Sequence, residues 1–87
     1  MSITVEFFGL ARKRAGVASI EIDAHTIGTA FDVLESLLPK WADACLDDGH
    51  LKRSFLANVN SRTFVNDRNQ PLQDGDHLLI LAADVGG

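Results

Sequence analysis

The sequence has little of what covalent cross-links, membrane spans or nucleic-acid binding require. Cys45 is the only cysteine in 87 residues, so no disulfide can form within the chain. We therefore expect a reducing compartment, the cytoplasm. No run of roughly 18 apolar residues and no signal peptide are present, and we expect no membrane partner. The net charge of −4 argues against nucleic acid, because phosphate binding needs a basic face.

Patterns that bind metals or nucleotides are missing as well. His25, His50 and His77 are scattered, and none has the spacing from another His or Cys that a metal site uses. We expect no metal, and each histidine is interpreted as a surface or turn residue. No Gly-rich loop precedes a helix, so the chain should bind no nucleotide. Cys45 is conceivable as a sulfur-relay thiol, but a small buried residue in a helical segment is the favoured interpretation.

The first part of the chain predicts a β-hairpin. Residues 3–8 and 17–23 alternate between apolar and polar side chains, as half-buried strands do. Between them, residues 9–16 carry Arg12, Lys13 and Arg14 between two glycines. This segment is interpreted as a solvated connecting loop, with docking of a partner as the alternative.

A main helix and a short second helical segment follow. Thr26 is a plausible N-cap, and an amphipathic stripe of apolar residues begins at Ile27. Pro39 should end this helix near Leu38. Residues 41–46 then favour another helical turn, and the Asp-Asp-Gly sequence at 47–49 indicates a tight turn.

The rest of the chain predicts strands at residues 55–60, 63–65 and 77–82. The last contains four consecutive large aliphatic residues, Leu78 to Leu81, which is typical of a strand in the centre of a sheet. We expect an α+β fold in which a mixed sheet of four to five strands carries the helices on one face, with the first and last strands adjacent and parallel.

The uncovered face of that sheet is a candidate docking surface. The last strand would present either Leu79 and Leu81 or Leu78 and Ile80 there, and Phe8 is the expected neighbour. An exposed apolar cluster of this kind usually binds a partner. The alternative is that the cluster is covered by Trp41, Leu46 or a loop.

The chain is organised around its last residues. We divide it into a domain at 1–82 and a flexible tail at 83–87, which ends in Gly86 and Gly87. Two glycines order poorly and leave the terminal carboxylate free of neighbouring side chains. A tail of this kind is suited to entering the active site of another protein, whereas a frayed terminus is the simpler interpretation.

Taken together, these segments resemble the ubiquitin-like β-grasp sulfur carriers, which include the small subunit of molybdopterin synthase and the thiamin-pathway carrier. The resemblance covers essentially the whole chain. Length and the segment at 41–53 are more similar to the molybdopterin-synthase subunit. Asp84 and Val85 depart from the residues usual before the glycines. The motifs that carry the resemblance are Phe7-Phe8-Gly9, Thr26, Ala57-Asn58-Val59-Asn60, Pro71-Leu72-Gln73-Asp74-Gly75-Asp76 and Gly86-Gly87.

The resemblance implies a function with no stand-alone active site. A ubiquitin-activating-like adenylyltransferase would use ATP to adenylylate Gly87, and sulfur transfer would give a thiocarboxylate. The chain would then donate sulfur within a heterotetramer with the large subunit of molybdopterin synthase. Gly86 would fit a narrow channel, and the partner-binding residues would be Phe8, Leu79, Leu81 and Val85.

Three alternatives stay open. The chain could carry sulfur for another pathway, such as that of thiamin, cysteine or another sulfur-containing metabolite. It could be a ubiquitin-like protein modifier joined to lysines through Gly87. It could also be a plain interaction module in which the two glycines are incidental.

Overall fold

The computed structural model describes residues 1–83. Three helices and seven strands follow one another along this part of the chain, and two of the strands form a separate short ribbon. None of the helices in it is long and apolar enough to cross a bilayer. In chain order the elements are β1 (Ser2–Phe7), α1 (Leu10–Ala15), β2 (Ser19–Asp23), α2 (Ile27–Leu37), α3 (Pro39–Cys45), β3 (Leu46–Asp47), β4 (His50–Leu51), β5 (Phe55–Val59), β6 (Thr63–Val65) and β7 (His77–Ala82).

The main sheet is mixed, and β7 lies at its centre. Its five strands have the order β2-β1-β7-β5-β6. Strands β1 and β7 pair in parallel, with Phe7 opposite Ile80, while the other neighbours are antiparallel. This arrangement confirms the predicted α+β fold and the adjacent, parallel first and last strands. The aliphatic run of β7 is thus hydrogen-bonded on both edges.

Helix α2 begins and ends where the sequence predicted. Thr26 has extended backbone angles, and its hydroxyl oxygen accepts a hydrogen bond from the Thr29 N–H at 3.1 Å, as an N-cap does. The helix ends at Leu37, and Pro39 becomes the first residue of α3, a position that suits proline because its missing N–H is not needed there. The predicted second helical segment is therefore confirmed, and it begins two residues earlier.

The core lies between the helices and the inner face of the sheet. Phe7 of β1 and Trp41 of α3 are 2% and 0% exposed, and their ring centroids lie 5.6 Å apart in an edge-to-face arrangement. Leu34 of α2 and Ile80 of β7 are fully buried in the same cluster. The helices are thus fixed on one face of the sheet by apolar contacts.

The predicted loop at 9–16 is wrong in part, because it contains helix α1. Leu, Ala, Arg and Lys are all good helix formers, and Ala11 is fully buried. Gly16 adopts the left-handed conformation with φ 78°, and its N–H donates to the Arg12 carbonyl at 3.0 Å, which ends the helix. The glycines that suggested a loop instead bound a single short helix.

A second feature absent from the predictions is the ribbon of β3 and β4. Its tight turn uses Asp48 and Gly49, both with positive φ, as the Asp-Asp-Gly signal predicted. Arg68 holds this turn to α2, because its guanidinium donates to the Gly49 carbonyl at 2.6 Å and to the Asp32 carboxylate at 2.9 Å.

Candidate functional site

The end of β7 is the first part of the candidate site. Ala82 pairs with Phe55 of β5, and the Ala83 N–H donates to the Ser54 carbonyl at 2.7 Å. On the other edge, the Phe8 N–H donates to the Ile80 carbonyl at 3.0 Å. Hydrogen bonds to both neighbours thus fix the point from which the chain continues.

The predicted carrier residues follow that point. Gly86 and Gly87, together with Asp84 and Val85, lie outside the described residues. What the structure supplies is the position of Ala83, the residue directly before them.

The alternation along β7 determines which side chains face away from the helices. Leu78 and Ile80 are fully buried toward the core, whereas Leu79 and Leu81 are partly exposed on the opposite face. The sequence left these two pairs open, and the structure selects Leu79 and Leu81. Trp41, one of the residues considered as a cover, packs with Phe7 on the helical side.

An apolar cluster on this face surrounds the end of β7, and we call it the outer apolar face. Phe8 is 64% exposed, Phe64 61% and Leu56 37%. Exposure of large apolar side chains in one place is typical of a binding surface. Its members are Phe8, Leu56, Phe64, Leu79 and Leu81.

Sequence reasoning found only part of this cluster. Leu56 and Phe64 were not among the residues predicted to form it. The strand register joins them, because Leu56 lies opposite Leu81 and Phe64 lies opposite Asn58. The sequence signal for Phe64 was the short hairpin at 55–65. It pairs β6 with β5 and so brings Phe64 to the same face of the sheet as Leu56.

Asn58 is the buried polar residue recorded among residues 1–83, and it lies between members of the outer apolar face, outside the core cluster. Its neighbours across the sheet are Leu79 and Phe64. The side chain is 9% exposed, and its Oδ1 atom has no hydrogen-bond partner among residues 1–83. Leaving such an atom unpaired costs about 1–3 kcal/mol.

Polar contacts dominate the other end of the same face, where β7 begins. The His77 imidazole Nε2 lies 2.8 Å from a Glu6 carboxylate oxygen. Asn60 donates to the Asp76 carboxylate and accepts from the His77 backbone N–H. Asp74 accepts from the Ser2 N–H nearby. Within residues 1–83 no group of three His, Cys, Asp or Glu side chains is placed to hold a metal ion.

Cys45 is unsuited to act as a nucleophile. It is fully buried at the end of α3, as the favoured interpretation predicted. Burial raises the pKa of its thiol from 9.0 to about 11, and the positive charges of Lys52 and Arg14 only partly oppose this. The thiolate is the reactive form, so the protonated and enclosed sulfur should be inert in the folded protein.

These observations define a small β-grasp protein with an apolar surface beside the end of its central strand. Comparison with known proteins agrees on the fold. SAMP1, the small archaeal modifier protein 1 from Haloferax volcanii, is similar with a TM-score of 0.83 and 23% identity, covering 100% of both chains. A chain of the BexX/CysO complex from Amycolatopsis orientalis is similar with a TM-score of 0.78 and 25% identity, covering 98% of this chain and 99% of that one.

A third similar structure is the complex of subunits 1 and 2 of the molybdopterin-converting factor from Helicobacter pylori 26695. It gives a TM-score of 0.71 and 22% identity, with full coverage of both chains. No protein-family model and no curated protein match the sequence. At these identities the similarity establishes the β-grasp fold that the chain shares with small modifier proteins and with subunits of a converting factor.

Proposed function

We propose that this chain is a sulfur carrier whose Gly87 carboxylate is adenylylated and then converted to a thiocarboxylate. The proposed pathway is molybdenum cofactor biosynthesis, with the chain as the small, sulfur-donating subunit of molybdopterin synthase. The observation that carries the proposal is the position of β7. This strand is the centre of the sheet, it ends at Ala82 beside the outer apolar face, and Gly86 and Gly87 follow a few residues later.

The outer apolar face supplies the affinity that such a tail lacks. A two-glycine sequence offers a partner almost no side-chain surface. The exposed Phe8, Leu79 and Leu81 can be buried by a partner, and burial of apolar area contributes about 25 cal/mol per Å². The large subunit of molybdopterin synthase is the proposed partner, and Val85 is the proposed contact within the tail. Two of the similar structures are themselves complexes with another protein.

The proposed chemistry uses one group of this chain. The Gly87 carboxylate attacks the α-phosphorus of ATP, which is bound by a ubiquitin-activating-like partner, and pyrophosphate leaves. A hydrosulfide-level sulfur donor then attacks the acyl carbon, the bond to AMP breaks, and AMP and one proton are released. The product thiocarboxylate is a polarisable nucleophile that can transfer sulfur to an acceptor. Gly86 and Gly87 allow the extended backbone to pass a narrow channel without a β-carbon.

Intact mass spectrometry tests this proposal. The mass of the purified native protein first establishes that Gly87 carries the free carboxylate. Incubation with ATP, a candidate activating enzyme and sulfide should then raise the mass by the difference between one sulfur and one oxygen atom. Gly87→Ala should keep the circular dichroism spectrum and unfolding midpoint of the native protein and show no mass change. Full thiolation of Gly87→Ala contradicts the proposal.

Binding to the proposed partner tests the outer apolar face separately. Phe8→Ser should leave the fold intact, because the ring is 64% exposed, but it should weaken binding to the molybdopterin synthase large subunit. Glu35→Ser is the control, since Glu35 is also exposed but lies on α2, on the opposite side of the sheet from the outer apolar face. Equal binding by both variants would remove Phe8 from the interface.

A protein modifier is the second candidate function. The similarity to SAMP1, with a TM-score of 0.83, supports it. Activation by ATP would be shared, but the acyl group would pass to lysine amines instead of sulfur. Covalent protein adducts that disappear when an isopeptide bond is cleaved favour the modifier. Thiolated protein without adducts favours the carrier, and transfer to a pterin precursor separates the molybdenum cofactor pathway from thiamin or cysteine synthesis.

A further inference from the structure

A groove on the helical side of the fold combines positive charge with exposed apolar surface. We call it the basic groove. It is formed where the end of α1 meets the junction between α2 and α3, and Trp41 closes it from below. Its other main lining residues are Lys13, Arg14, Leu37, Leu38, Pro39 and Lys40.

The charge of this groove is unbalanced. No carboxylate lines it, and within residues 1–83 no Asp or Glu lies within 4.0 Å of the charged nitrogens of Lys13, Arg14 or Lys40. The chain as a whole has 12 acidic and 8 basic residues. Cations concentrated in one place on an acidic protein form a potential that attracts an acidic partner.

The fold also does not explain why apolar side chains are exposed in the groove. Leu37 is 53% exposed at the end of α2, although the preceding stripe of this helix, which ends at Leu34, is buried. Leu38 is half-buried beside it. The positive charges of α1 stabilise the negative end of that short helix, but this role accounts for neither Lys40 nor the exposure of Leu37.

We propose that the basic groove binds an acidic segment of a partner protein that carries an apolar side chain. The carboxylates would pair with Lys13, Arg14 and Lys40, and the apolar side chain would cover Leu37 and Leu38. The groove lies on the helical side of the sheet, so the outer apolar face stays free. Because α1 follows β1 and packs against β7, the groove is at the end of the fold where β7 stops.

This location would let one partner hold the protein from both sides of the end of β7. The inference stands on the charge and surface of the groove, and it does not depend on whether Gly87 is thiolated. It can therefore be tested without the sulfur-transfer reaction.

The test uses the full ¹⁵N-labelled chain and a synthetic amidated peptide built of glutamates with interspersed leucines. Binding should shift the backbone amides of the groove residues and change the emission of Trp41, which is the only tryptophan in a chain without tyrosine. An isosteric peptide with glutamine in place of glutamate should not bind. Because these charges are exposed, affinity should fall about tenfold at high salt.

Matched charge reversals locate the site. Lys13→Glu with Lys40→Glu should weaken binding about tenfold, since each reversal replaces an attraction with a repulsion. Arg53→Glu with Arg62→Glu is the control, because it changes the net charge equally at exposed residues outside the groove, and it should bind nearly as the native protein does. Leu37→Asn should weaken binding without changing the salt dependence.

Four results overturn the proposal, and the first is that the native chain does not bind the peptide. The two double variants could lose affinity equally, which would show an effect of net charge alone. A single-stranded oligonucleotide could shift the groove amides more strongly than the peptide. Sedimentation could show that the native chain self-associates and that the variant with Lys13→Glu and Lys40→Glu does not. A second copy of the chain would then be the occupant. If the peptide binds but Gly87 is never thiolated, the proposed function fails and the groove inference stands; thiolation without peptide binding gives the reverse.

Discussion

Phe7 and Phe8 are adjacent in the chain but lie on opposite faces of the sheet. Phe7 is 2% exposed and packs against Trp41, whereas Phe8 is 64% exposed on the outer apolar face. The same residue type therefore serves the core at one position and a docking surface at the next. This difference gives a direct test of which face the fold needs.

Phe7→Ala should lower the free energy of unfolding by about 3–5 kcal/mol, because it removes a buried ring and leaves a cavity beside Trp41. Phe8→Ala should change it by less than about 0.5 kcal/mol. Urea unfolding followed by Trp41 fluorescence measures both. Similar losses in the two variants would mean that Phe8 is also part of the core.

Cys45 should be unreactive toward iodoacetamide in the native protein at pH 8 and react readily in denaturant. Burial and a pKa raised to about 11 both predict this. Rapid alkylation of the native protein, at the rate of the unfolded chain, would show that the thiol is accessible.

The same thiol should make stability depend on alkaline pH. Because the folded-state pKa is raised from 9.0 to about 11, the folded protein keeps a proton that the unfolded chain releases. This contribution to stability is fully present below pH 9 and is lost as the pH rises toward 11, with a slope of at most about 1.4 kcal/mol per pH unit. Cys45→Ala should have a correspondingly shallower slope, and an unchanged slope would contradict the assignment.

Thr26→Ala should cost about 1 kcal/mol, since the Thr29 N–H loses its acceptor at the start of α2. For a domain of this size the loss corresponds to a decrease in Tm of roughly 4–8 °C. Thr26→Ser is the control, because it keeps the hydroxyl. Calorimetry that finds both variants equally destabilised would assign the effect to the lost methyl group.

Arg68→Ala should cost about 1–2 kcal/mol, because it removes the donor to the Gly49 carbonyl and the partner of Asp32. Arg68→Lys should recover only part of this loss, since one ammonium group cannot reproduce the forked geometry. Hydrogen exchange should become faster in the turn between β3 and β4. Arg62→Ala, at an exposed residue, provides the baseline and should be nearly neutral.

Strong local signals made much of the fold predictable. The four aliphatic residues from Leu78 to Leu81 indicated a central strand, Thr26 indicated the start of α2, and Pro39 indicated its end. Each of these follows from a local property: apolar contact on both faces, an N-cap, or a missing N–H. Helix α1 was missed because its six residues are too few to show periodicity, although Gly16 is a typical C-terminal residue for a helix.

The candidate site was less predictable, because it depends on strand register. An unbroken aliphatic run cannot tell whether Leu79 or Leu78 faces the helices, since both are apolar. Phe64 joined the outer apolar face only through the pairing of β6 with β5. The basic groove was predicted only as a charged loop, because Lys40 and Leu37 come from a different part of the chain and meet Lys13 only in the folded protein.

The parallel pairing of β1 and β7 also has a mechanical consequence. Tension applied to residues beyond Ala82 runs along β7, so it loads the hydrogen bonds to β1 and β5 in shear, all at once, instead of opening them one after another. A partner that pulls on the residues after Ala82 would have to break the hydrogen bonds of β7 to both neighbouring strands together. We therefore expect the sheet to stay folded when a partner pulls on the residues that follow Ala82.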